Sequence, residues 1–160
     1  MALPPQFTTD ITGRFTLNVQ LRDRANAAEP LNQLVSTNLA FNHYLDEAGE
    51  ERIWVEHSQR WIGRNAHTRT PSLDRIRRIK TSQLSEPFPR AGWTANTRRH
   101  GVLQYNLFDS AHTWATDEAW GVEEIAGERR FVRQVRYSSG PTVGAREVEC
   151  RFVYDYVGAL

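Results

Sequence analysis

Apolar residues recur at every second position along most of this chain, in short runs separated by turn residues. Such runs at roughly 8 to 12 residue spacing argue for a β-sandwich or an up-and-down β-barrel. Across residues 11–21, Phe15, Leu17, Val19 and Leu21 share one face and polar side chains the other, which predicts a half-buried strand. Residues 39–45 and 52–61 read as two more, joined by the glycine-containing turn Asp-Glu-Ala-Gly-Glu-Glu. Between the first two strands, Asn26, Ala27, Ala28, Leu31, Leu34 and Val35 have the three-to-four spacing of a short helix. Residues 65–80 carry Pro71 and many arginines, so shorter or less regular strands are expected there. A proline-punctuated loop follows at residues 86–93, and a strand is read from His100 to Phe108. Strands over 119–125, 130–137 and 147–157, with turn signals at Ala-Gly-Glu-Arg and Ser-Ser-Gly-Pro-Thr-Val-Gly, complete the series.

At 160 residues the chain reads as one domain, 1–160, able to close a core without disulfide or metal staples. Its five Trp, five Tyr and seven Phe favour strands and lined cavities. The net charge of +1 conceals a basic middle: residues 51–100 hold eleven Arg or Lys against four acids. Within it, the basic cluster of Arg64, Arg69, Arg75, Arg77, Arg78 and Lys80 lacks the interleaved aromatics that stack bases, so nucleic acid is not an expected partner. The lone cysteine, Cys150, reads as a buried small side chain, and the Met-Ala-Leu-Pro-Pro-Gln start does not resemble a secretory signal. A cytoplasmic location is the expectation, and no apolar run is long enough to span a bilayer. No His-Glu-x-x-His, cysteine pair, P-loop, dinucleotide fingerprint or Gly-x-Ser-x-Gly occurs, so neither a metal nor another cofactor is expected.

Gly13-Arg14-Phe15 on the first strand, followed by a helical segment and consecutive hairpins, resembles the lipocalin and cytosolic fatty-acid-binding superfamily, with Phe15 where that superfamily has Trp. His43-Tyr44-Leu45-Asp46-Glu47, Ile53 to His57, His100 to Gln104, Glu118 to Arg130 and Phe152 to Gly158 together look like small fungal calycin-like proteins. The resemblance implies an antiparallel calycin-type barrel of about ten strands, with a helical segment near one mouth and a cavity for one small ligand. It would also place an Arg-x-Tyr pair on the last strand against a carboxylate. Here Arg151 and Tyr154 are three apart, hence on opposite faces, which counts against a fatty-acid carrier.

The candidate ligand-binding residues are His57, His100, Gln104, Trp120, Glu124 and Tyr154. His57 alternates with Ile53 and Val55, and an inward histidine would be the acid or base if the chain is an enzyme. His100 and Gln104 share a face with Val102, and Trp120 with Val122 and Glu124. One of Glu123 and Glu124 should face solvent and the other pair with an arginine between Arg130 and Arg136. Tyr154 shares a face with Cys150, Phe152 and Tyr156, lining a cavity or packing under the helix. Three functions fit this pattern: a barrel that binds a small hydrophobic or partly apolar metabolite; a cofactor-free isomerase or cyclase of fungal secondary metabolism acting by orientation; and a filled barrel whose surface meets a protein.

Overall fold

The computed structural model describes residues 3–21, 37–61, 64–71, 76–84, 92–108, 113–139 and 146–160, with only the backbone described for 57–61, 64–71, 108 and 146. Nine strands lie among these residues: β1 (Gly13–Leu17), β2 (Asn38–Leu45), β3 (Glu51–Trp61), β4 (Arg64–Pro71), β5 (Ile76–Ile79), β6 (Val102–Phe108), β7 (Trp114–Ile125), β8 (Glu128–Ser139) and β9 (Arg146–Gly158). They form one sheet in the order β4-β3-β2-β1-β9-β8-β7-β6-β5, antiparallel at every pairing. No helix among the described residues is long and apolar enough to cross a membrane.

The directions of these strands decide how the sheet closes. An all-antiparallel ring needs an even number of positions, and nine alternating strands cannot supply one. Traced around the sheet, β4 and β5 run the same way, and only residues 72–75 separate them. A link of that length spans at most about 18 Å. The two segments therefore act as one interrupted strand, its first part laddered to β3 and its second to β6. The result is a nearly closed, barrel-like sheet of eight positions, where about ten strands were expected. Pro71 ends β4, in keeping with its missing N–H donor.

Local chemistry sets the hairpins. Asp46 Oδ1 accepts from the N–H groups of Ala48 and Glu50 in the β2–β3 turn. Between β7 and β8 the two-residue loop Ala126-Gly127 has positive φ at both positions, 54° and 76°, the primed turn whose twist matches flanking strands.

The inner faces converge on one core containing Phe15, Phe41, Trp120, Phe131, Phe152 and Tyr154. Into its base the 3₁₀ turn Pro5–Thr8 inserts Phe7, whose ring lies 4.9 Å from that of Phe15 and 5.8 Å from that of Phe131. The outer face of β6–β9 is covered as well. Leu84 and Trp93 pack there on Val102, Ala119, Val132 and Val153, beside helix α1 (Ala95–His100).

Several sequence expectations are corrected. Val19 is exposed, because β1 ends at Leu17 and Asn18 Oδ1 accepts from the N–H groups of Gln20 and Leu21 to turn the chain. His100 ends α1 rather than starting a strand, and Gly101, at φ 91°, separates it from β6. The helix expected near residues 26–35 lies outside the described residues. The described α-helix, α1, instead starts at the N-cap Thr94, whose side chain accepts from the Thr97 N–H.

Candidate binding site

Five inward residues build a polar group in the middle of the barrel. On β7, Thr116, Glu118 and Trp120 alternate inward; on β8, Arg133 lies between Phe131 and Val135; on β9, Tyr154 lies opposite Phe131. Glu118 is 2 %, Arg133 3 % and Tyr154 0 % exposed, so each must satisfy its polarity internally.

The bonds run mainly to one oxygen. Glu118 Oε2 accepts from Arg133 Nη2 at 2.7 Å, from Arg133 Nε at 3.0 Å and from Trp120 Nε1 at 2.7 Å. Its other oxygen, Oε1, accepts only a long bond, 3.5 Å, from Thr116 Oγ1 among the described residues. Arg133 Nη1 donates to the Tyr154 hydroxyl at 3.2 Å, and the guanidinium carbon stands 5.2 Å from the Trp120 ring centre. Burial works against the charge on Arg133, but the adjacent Glu118 carboxylate prevails and raises its pKa above the ordinary arginine value. Burial likewise raises the Tyr154 phenol, with Arg133 opposing it.

Below this group the described side chains pack closely. The void bounded by Phe7, Ile11, Leu103, Trp120 and Phe131 amounts to about 10 Å³, room for one water at most. Any larger guest would have to lie beyond Arg133, toward the end of the barrel where β1, β6 and β8 finish.

A second polar group closes the base. His43 Nε2 meets Glu51 Oε1 at 2.9 Å, and its Nδ1 accepts from the Ile11 N–H at 3.3 Å, which assigns the proton to Nε2. Arg78 of β5 reaches the same Glu51 oxygen of β3 at 2.6 Å and donates to the Thr8 carbonyl at 3.1 Å. Burial alone would raise the Glu51 pKa, yet the bonds from His43 and Arg78 hold it down at about 2. Side chains thus bridge β3 and β5 where no ladder joins them.

Compared with models of known families, with curated proteins and with solved structures, the chain matches none.

Of the residues singled out from sequence, the structure brings Trp120 and Tyr154 together around Arg133. His57 pairs along the backbone with Leu39 and Thr68, and its side chain lies outside the described ones. His100 is exposed at the end of α1, and Gln104 faces outward, where it accepts from Arg77 Nε at 2.9 Å. Glu124 is exposed. Its neighbour Glu123 is the buried acid, but its cation is Arg151, at 3.1 Å, rather than an arginine of residues 130–136, and Gln134 Nε2 donates to it at 2.6 Å. Arg151 and Tyr154 do lie on opposite faces. Glu118 and Arg133 were missed, although the alternation that places Trp120 and Phe131 inward carries both with them. Among the described residues, no group of three or more His, Cys, Asp or Glu side chains is placed to hold a metal ion.

Proposed function

We propose that the chain is a calycin-type barrel that binds a small, partly apolar molecule in the half of its interior beyond Arg133. The observation that supports this reading is the buried Glu118–Arg133 pair, which has hydrogen-bonding capacity left over in an otherwise apolar interior. Three of the five guanidinium N–H donors are used among the described residues, and one Glu118 oxygen is held only weakly. Ligand sites in barrels combine apolar walls with a few fixed polar groups of this kind. Leu17, Leu39, Val135 and Cys150 supply apolar wall. The eight-position meander with a plugged base supports the calycin assignment, and the buried thiol of Cys150, the one cysteine of the sequence, fits a reducing, cytoplasmic setting.

Titration of tryptophan fluorescence with a panel of alkanes, alcohols, ketones and aromatic hydrocarbons tests the proposal, because Trp120 touches the polar group directly. A saturable change, matched by a one-to-one complex in native mass spectrometry, is the expected result. Absence of any saturable binder by both methods would overturn it.

A further inference from the structure

We infer that Glu118 sets the chemical class of the guest: with its carboxylate against Arg133, the interior takes an uncharged molecule bearing a hydroxyl or carbonyl oxygen and refuses a carboxylate. The inference rests on the binding reading above and deepens it.

A lone buried arginine would be a strong anion site, since its planar fork matches a carboxylate. Arg133 is not alone. Its Nε and Nη2 both point at Glu118 Oε2, and the third occupied donor, on Nη1, serves Tyr154. The pair is neutral as a unit. A guest carboxylate entering here would lose its hydration in a water-poor interior and stand beside the Glu118 charge, with the attraction of Arg133 already spent. A hydroxyl or carbonyl meets no such repulsion. Its oxygen accepts from a remaining guanidinium N–H, and a hydroxyl proton finds Glu118 Oε1, whose hydrogen bond among the described residues is the 3.5 Å one from Thr116. Trp120, the cross-strand partner of Arg133, reinforces the arrangement by donating to the same Oε2 at 2.7 Å, which fixes the carboxylate against Arg133.

Glu118→Gln separates the two outcomes. The amide keeps the side chain's size while removing its charge, and Arg133 is left as a buried, uncompensated cation. The experiment titrates the full chain, wild type and Glu118→Gln, with octanol and with octanoate at neutral pH, read by tryptophan fluorescence and native mass spectrometry. Wild type should bind octanol at least about tenfold more tightly than octanoate, and Glu118→Gln should reverse that preference. If Glu118→Gln unfolds on its own, its melting temperature reads the same preference, rising with octanoate and not with octanol. The double variant Glu118→Gln with Arg133→Gln has no buried charge and should return to the wild-type order. Octanoate binding wild type as tightly as octanol, or an unchanged order in Glu118→Gln, overturns the inference while the binding reading stands. If neither probe binds either protein and the wider panel also fails, the binding reading falls and takes this inference with it.

Discussion

Gly121 shows how closely the two faces of this sheet are filled. It lies on β7 between two inward residues, Trp120 and Val122, and faces the outer cover, where an added Cβ would stand 2.9 Å from Trp93 Cζ3 and 2.9 Å from Thr97 Cγ2. The restriction is one of space, since neither the Trp93 indole locked in the outer core nor Thr97, whose hydroxyl is bonded to the Val122 backbone, can retreat. Gly121→Ala should therefore cost about 1–3 kcal/mol, the usual penalty of overpacking, measured as a lower urea midpoint at unchanged m-value. The Glu118–Arg133 pair is restricted by charge instead. Arg133→Met alone strands a buried carboxylate and should destabilise by about 3–5 kcal/mol. Glu118→Leu combined with Arg133→Met removes both charges and should recover most of that loss. A double-mutant cycle checks it: simple additivity of the two single effects would mean that the side chains are not coupled as their 2.7 Å contact requires.

Among the elements, β5 is the most exposed to failure. It has only four residues and one laddered neighbour, and the side chain of Arg78 binds it to β3 through Glu51. Because the Glu51 pKa is depressed in the fold, from 4.5 to about 2, its contribution to stability is complete above pH 4.5 and is lost as the pH falls toward 2. Wild type should lose melting temperature across that window more steeply than Glu51→Gln, which has no carboxylate to protonate there. Parallel melting curves for the two proteins between pH 5 and pH 2 would contradict the clip. The weak regularity of this stretch was visible beforehand in Pro71 and the broken alternation of residues 65–80. The short helix α1 was not visible. Six residues are too few for a helical period, and the Val-Leu-Gln-Tyr run after it drew the expected strand back to His100. Its signals were the caps alone: Thr94 before it, and Gly101 after it at a φ that a Cβ would strain against the Ile79 carbonyl.

At the scale of the whole molecule, alternation revealed the barrel but did not fix the inward face on every strand. On β6 the sequence gives Val102 and Gln104 on one side, Leu103 and Tyr105 on the other, and both sides hold buried apolar residues. The reason lies across the fold: the cover formed by Leu84, Trp93 and α1 buries Val102, Ala119, Val132 and Val153 on the outside, and a strand buried on both faces loses its period-two signature. Gln104 was thereby placed inward when it faces out to Arg77. On β1, where the outer face carries Arg14, the same reasoning succeeded for Phe15 and Leu17. Nor did any short-range pattern announce that Phe7, before the first strand, belongs to the core. Its ring touches residues of β1 and β8, the two strands that flank β9, and so fills the base of the interior from outside the alternating strands. Phe7→Ala should on that ground cost about 3–5 kcal/mol, and the loss should be concentrated at the base. Hydrogen exchange distinguishes a plug from an ordinary core residue. Protection of the amides of Ile11, Phe15 and Phe131 should fall well before that of Thr116 and Val135, beyond Arg133. An equal fall in both halves would mean that the base does not open separately from the rest of the barrel.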